Sequence, residues 1–256
     1  MIAFALEPIF EENLKSGADF RFPKKMDLLH FYDILVERIL HIKENEKKRV
    51  DVTNASIQDD TERMETCLEN LKKCSLLAIL PPKLNPLHDT TIESTLQAYI
   101  TRFQAGKDKV GIVMNVVEGK PQFVHRTFAE YFAARWFSEN FESNRSVLER
   151  VLFDPSYGTV RNVFDRILAK ECPLHSAVLD RDTQAVETLL QEGSDVNAQD
   201  KGGRTAMHLI AAERHGGHIC EEITDSLLRR GARVDDKDNL LQWTALQYAG
   251  KTENNF

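Results

Sequence analysis

The C-terminal third of this chain repeats itself, and a fixed repeat constrains the fold more than any other feature of the 256 residues. Cys172-Pro173-Leu174-His175 returns 33 residues later as Thr205-Ala206-Met207-His208, and again as Thr244-Ala245-Leu246-Gln247. A second motif recurs in the same order: Leu189-Leu190-Gln191-Glu192-Gly193-Ser194-Asp195-Val196-Asn197 returns as Leu227-Leu228-Arg229-Arg230-Gly231-Ala232-Arg233-Val234-Asp235. Each unit is too short to bury its own apolar face, so neighbouring units must stack into one continuous core. Gly193 and Gly231 stand where the second helix of a unit has to end, a position that favours left-handed backbone.

These two motifs resemble the ankyrin repeat, with its period of about 33 residues and its T-P-L-H-x-A opening. The resemblance implies two complete units and a partial third over residues 171–256, each a helix pair with a projecting finger. There are departures. Cys172 stands where threonine is usual, and about five extra residues around Arg214 to Cys220 stretch the second-helix motif to a spacing of 38. The third unit stops after roughly one helix. Helices at about 143–153 and 156–170 are expected to cap the stack at its N-terminal end, leaving the C-terminal end uncapped. The resemblance also implies a protein partner, met by the fingers (about 195–204 and 233–243) and the first helices. In the first finger Gln199, Lys201 and Arg204 are the candidate contacts, while Asp200 and Gly202 fix the turn. In the second, Leu240, Leu241 and Trp243 are the candidates, because apolar residues at a loop tip have no core to fill unless something covers them.

Upstream, residues 1–170 read as helices around one small β-hairpin. Apolar spacing gives helices over about 1–15, from Asp27 to Asn45, from Thr61 to Leu80 and from a Thr90/Glu93 capping box to Phe103. Lys43 to Arg49 reads as a solvated helix end. The period then changes: Val110 to Val117 and Gln122 to His125 read as strands about a Glu118-Gly119 turn. Thr127 and Glu130 have capping-box spacing, and Phe128, Phe132 and Trp136 fall on one side of the helix that follows, with Tyr131 beside them. Phe123-x-His125-x-Thr127-Phe128-x-Glu130-Tyr131-Phe132-Ala133-Ala134 resembles the segment that follows the nucleotide-binding domain in NACHT-type signalling NTPases of the STAND class. That resemblance implies a winged-helix region and gives His125 the role of touching the phosphates of a nucleotide. The apolar N-terminal stretch reads as the middle of a helix, an expectation that makes Met1 an internal start within a longer ancestral architecture.

The chemistry of an NTPase is not in these residues. There is no GxxxxGK[ST]; Gly106-Lys107 is followed by Asp108 where serine or threonine is needed, so no phosphate-binding lysine can be assigned. His215, His218 and Cys220 have no evident fourth ligand and read as an exposed loop, with no metal. The net charge of −7 argues against general nucleic-acid binding, and Asp108 and Glu118 dilute Lys107, Lys109 and Lys120 around the predicted wing. Four cysteines without a CxxC pair fit a reducing, cytoplasmic setting. No apolar run is long enough for a membrane span, and the N-terminus lacks a basic segment ahead of its apolar one. The fold class expected is mainly α: a helical and winged-helix domain (1–170) with a small hairpin, followed by an ankyrin-repeat solenoid (171–256). The function expected is a non-enzymatic interaction module needing no cofactor. The alternative is the regulatory half of a signalling NTPase whose P-loop domain lies upstream or on another chain.

Overall fold

The computed structural model describes residues 28–50, 57–87, 90–106, 111–213 and 217–253. The expected helix at 1–15, the Asp27 cap, Lys107, Lys109 and His215 lie outside the described residues, as do the side chains of 43–49, Thr90 and Glu93. The chain is mostly helical with one two-stranded antiparallel sheet among the described residues. It forms two compact units, 1–133 and 134–256.

In the first unit, α1 (Leu28–Val50), α2 (Ile57–Ile79) and α3 (Thr90–Gln104) surround the hairpin β1 (Val113–Val117) and β2 (Lys120–Phe123). The buried residues of α1, Leu29, Tyr32, Leu35, Val36 and Leu40, fall at helical spacing and form one stripe. α2 begins at Ile57, four residues before the Thr61 start that apolar spacing gives. A Pro82–Leu84 turn follows, where Pro81 and Pro82 forbid continuation of the helix. Glu118 (φ 50°) and Gly119 (φ 76°) both take positive φ, the two-residue turn whose twist matches that of paired strands. Register slips between Val113 and Asn115, leaving Met114 as an exposed bulge. β2 ends at Phe123 rather than continuing to His125.

Helix α4 (Arg126–Asn140) contains the boundary between the units. Phe128, Phe132, Trp136 and Tyr131 are buried as their spacing predicts, but so are Ala129, Ala133, Ala134 and Phe137. More than a stripe is therefore enclosed. The capping box expected at Thr127 and Glu130 does not form. The helix starts at Arg126, two residues before the Phe128 start that a Thr127 cap implies, His125 Nδ1 accepts from the Thr127 amide at 3.3 Å, and Glu130 is drawn into an ion pair with Arg126 at 2.9 Å.

The second unit holds α5 (Arg145–Phe153) and α6 (Gly158–Leu168), then the helix pairs α7 (Pro173–Leu179) with α8 (Thr183–Gln191) and α9 (Ala206–Ala211) with α10 (Gly217–Arg229), and last α11 (Ala245–Glu253). Leu174, Val178, Leu190, Leu209, Ile223 and Leu227 are among the residues of a continuous core through these pairs. Gly193 (φ 91°) and Gly231 (φ 83°) adopt the left-handed backbone predicted at the ends of the second helices. Residues 134–170, grouped by sequence with the N-terminal region, pack in the same compact unit as the repeats.

Candidate interaction surface

Each finger is built on one buried aspartate. Asp200 Oδ1 accepts from the amides of Gly202 (2.8 Å) and Arg204 (2.9 Å), and the Asp200 amide donates to the Arg204 carbonyl at 2.9 Å. Asp238 Oδ1 accepts from the amides of Leu241 (3.1 Å) and Trp243 (2.9 Å), and its amide donates to the Trp243 carbonyl at 3.0 Å. An aspartate suits this place because its short side chain can close a turn two residues on. The fingers are joined by the Asn239 amide donating to the Gly202 carbonyl at 2.8 Å.

The base of each finger is a histidine turn, and the three copies differ. His208 Nδ1 accepts from the Thr205 amide at 3.1 Å and lies 2.9 Å from its hydroxyl, while Nε2 reaches the Trp243 carbonyl at 3.1 Å. In the third unit Gln247 takes the histidine's place, its Oε1 accepting from the Thr244 amide at 2.9 Å. In the first, His175 Nε2 reaches the Arg204 carbonyl at 2.8 Å. Cys172 supplies no hydroxyl and its amide donates to Ala169 at 2.8 Å, so the buried His175 Nδ1 has no hydrogen-bond partner. Burial holds the His175 pKa below its ordinary value, against the carbonyl contact that favours the charged ring.

The expected contact residues divide sharply. Gln199 and Lys201 are exposed on the first finger, Lys201 with Glu171 at 3.9 Å. Arg204 is not offered to a partner: it is 2% exposed, donates from Nε to Asp200 Oδ2 at 2.9 Å, and pairs through Nη1 with Asp165 of α6. Its guanidinium also lies over the Phe164 ring at 5.7 Å. Burial pulls its pKa down, but Asp200 and Asp165 more than offset that and hold it above the ordinary value. Leu240 is fully buried, and a Cβ added to Gly202 would come within 2.9 Å of its Cγ and 3.0 Å of Leu168 Cδ1. It therefore fills the space between the first finger and α6 instead of waiting at a loop tip. Leu241 is half-buried. Trp243 is half-buried too, its ring 5.5 Å from Phe153 of α5 and 5.9 Å from Tyr248.

These contacts show what α5 and α6 do. They do not cap one end of the stack; they lie along its first helices. Arg166 pairs with Asp180 beyond α7 at 2.9 Å, Arg161 donates to the Ala212 carbonyl beyond α9 at 2.6 Å, and Glu149 pairs with Lys251 of α11 at 2.9 Å. The first helices, expected to face a partner, are occupied by the chain's own preceding helices. Sequence reasoning missed Asp165, Phe153 and Arg161 as their counterparts. The signal available was an acid and two aromatic or basic residues on helices otherwise read as a cap.

The other candidates are less elaborate. His125 is exposed, and its Nδ1 lies 2.8 Å from Thr127 Oγ1, so one ring nitrogen is used locally in capping α4. A cleft of about 250 Å³ in the first unit is lined by Leu77, Leu80, Leu87, Leu96, Ile100 and Lys120, with Asn85 and Gln97 as further polar side chains. Asn85 Oδ1 is taken by the Leu87 amide at 3.0 Å. His218 is exposed and Cys220 buried on α10, so the inserted H-x2-H-x-C is part helix rather than a free loop. Among the described residues no cluster of three His, Cys, Asp or Glu side chains is arranged to hold a metal ion, and no helix is long and apolar enough to cross a membrane.

Comparison with known proteins bears on the same region. Residues 171–255 match the family model for ankyrin repeats (3 copies). Over 69 residues the chain is 36% identical to the nuclear factor NF-kappa-B p105 subunit of Gallus gallus, an alignment covering 27% of this chain and 7% of that protein. The C-terminal part of the chain is thus an ankyrin-repeat segment, a protein–protein interaction module.

Proposed function

We propose that the chain is a non-enzymatic scaffold or adaptor that recognises a protein partner through the exposed edge of its first finger, in a reducing compartment. The observation that carries this is the coincidence of the ankyrin match at 171–255 with a finger whose buried half is fully committed to the fold and whose outer half, Gln199 and Lys201, is exposed. The first helices are covered by α5 and α6, so the partner meets the finger edge rather than the inner face. Four cysteines with no disulfide among them support the compartment. The NACHT-like motif around His125 supports descent from a signalling NTPase with a winged-helix region, in which this chain retains recognition without the phosphate-binding loop.

The test is affinity capture with the full chain and with Gln199→Ala/Lys201→Glu. Selective loss of a captured protein, with an unchanged thermal transition, is the expected result. Capture insensitive to both residues would remove the first finger from the binding face. Binding of ATP or ADP by the full chain, abolished by His125→Ala, would instead favour an NTPase-linked role.

A further inference from the structure

The first unit has a built cleft that the interaction-module reading leaves without a role. This cleft, of about 250 Å³, lies where the end of α2, the Pro82–Leu84 turn, α3 and the start of β2 come together. Its apolar lining includes Leu80 and Leu87 on either side of the turn, and Leu96 and Ile100 on α3. Leu96 and Ile100 are four residues apart and so share one side of the helix. None of these four side chains is more than 6% exposed, so the walls are fixed by packing.

The polar side chains of the lining can all donate, and one is held firmly. Asn85 is 8% exposed, and its Oδ1 accepts from the Leu87 amide at 3.0 Å. That contact decides which end of the side-chain amide is the nitrogen. Nδ2 has no protein partner among the described residues, yet it is not sealed from access. A donor on so buried a side chain in a cleft wall calls for an acceptor inside the cleft. Gln97 adds a second, exposed amide next to Leu96. Lys120 follows the turn at Glu118 and Gly119 and lines the cleft beside Gly119; its Nζ makes no ion pair among the described residues. It is the one ionisable side chain among those lining the cleft, where no carboxylate stands.

This lining dictates the chemistry of an occupant. The leucines and the isoleucine require a hydrocarbon body, and the small volume requires a short one. Two amide donors and an uncompensated ammonium require an anion with two acceptor oxygens. A phosphate, with more charge to desolvate and one cation to meet it, suits these apolar walls poorly. We propose that the cleft binds a small amphipathic monocarboxylate of the medium-chain fatty-acid class. Its hydrocarbon lies against Leu80, Leu87, Leu96 and Ile100, and its carboxylate lies among Asn85, Gln97 and Lys120. Because α2, α3 and β2 all contribute, occupancy stabilises the first unit by mass action. The site does not depend on the finger edge and stands or falls without it.

The probe is octanoate, titrated into the full chain by calorimetry, with octanol as its neutral analogue. Octanoate should saturate with a Kd below about 1 mM, within reach of a ligand of this size. It should bind about tenfold more tightly than octanol, because only the carboxylate makes charge-assisted contacts. Lys120→Gln, at an exposed position, should leave the thermal transition of the ligand-free chain unchanged. It should weaken octanoate by about fivefold and leave octanol unaffected, a separation that a purely structural lysine would not produce. Intermolecular NOEs from the octanoate methylenes to the methyl groups of Leu96 and Ile100 should report the location. The proposal is overturned by an absence of saturable binding, by octanol binding as tightly as octanoate, or by octanoate affinity indifferent to Lys120→Gln. NOEs confined to methyl groups of the second unit would overturn it as well.

Discussion

The two fingers share a backbone and differ in what holds it. In both, an aspartate gathers the amides of its own loop, and the second finger accommodates one extra residue without losing the pattern. The remaining carboxylate oxygen is satisfied differently. Asp200 Oδ2 is met by Arg204, which is itself pinned by Asp165, whereas Asp238 Oδ2 accepts from the Tyr248 hydroxyl. Where the first finger has a buried ion network, the second has Trp243, Tyr248 and Phe153 in aromatic contact. The turn requires only the aspartate. What lies behind it depends on which preceding helix passes, α6 with its acid or α5 with its phenylalanine. Burial at a finger is consequently not decided by whether a residue looks polar.

The largest way to break the comparison is Arg204→Ala. It would leave Asp200 and Asp165 buried with no cation between them, and the expected loss is roughly 3–5 kcal/mol in equilibrium denaturation. Arg204→Leu with Asp165→Leu should recover part of that loss, because one uncompensated charge is removed. A loss below about 1 kcal/mol for Arg204→Ala would place the network in solvent-like surroundings. Leu240→Ala, at the join between the first finger and α6, should cost about 2–5 kcal/mol through the cavity it opens. If it costs nothing while partner capture falls, Leu240 is a contact after all.

The aromatic anchor should be weaker to lose. Tyr248→Phe removes one hydroxyl and leaves Asp238 Oδ2 short of a donor, for an expected loss of about 1–3 kcal/mol. Burial raises the tyrosine's pKa well above its ordinary value, and the hydrogen bond to Asp238 acts in the same direction. The phenol therefore remains a donor throughout the range in which the protein would be studied. Equal losses for Arg204→Ala and Tyr248→Phe would mean that the two anchors do not differ in the way their chemistry implies.

The repeats were legible because they recur: His175 and His208, Gly193 and Gly231, and the paired leucines are set by local geometry that a period exposes. Most helices and the Glu118-Gly119 turn were legible for the same local reasons. The candidate contacts were legible only in part. Gln199 and Lys201 are exposed as read, but Arg204 and Leu240 are buried by α6, which precedes them by dozens of residues and which no loop pattern encodes. The capping box at Thr127 failed for a similar reason. The His125 ring reaches the Thr127 amide, and the Thr127 hydroxyl is shared between His125 and Tyr32 of α1.

The smallest effect sharpens the comparison at the finger bases. His208 has Thr205 beside its Nδ1; His175 has Cys172 and an orphan. Cys172→Thr restores the hydroxyl that the second unit uses, so it should raise stability by about 1 kcal/mol, the net worth of one recovered hydrogen bond. The gain should be measured above pH 6.5, the ordinary histidine value. There His175 is neutral in both folded and unfolded chains. As pH falls below that value the unfolded chain takes up a proton that the buried ring resists, so stability declines towards the lowered folded pKa. The contribution of this group is thus full on the alkaline side and lost on the acid side. His175→Gln, which copies the neutral Gln247 of the third unit, should remove that part of the acid decline. A decline unchanged by His175→Gln would assign it to other groups, and a Cys172→Thr protein no more stable than the parent would show that the hydroxyl cannot reach Nδ1 across the first turn of α7.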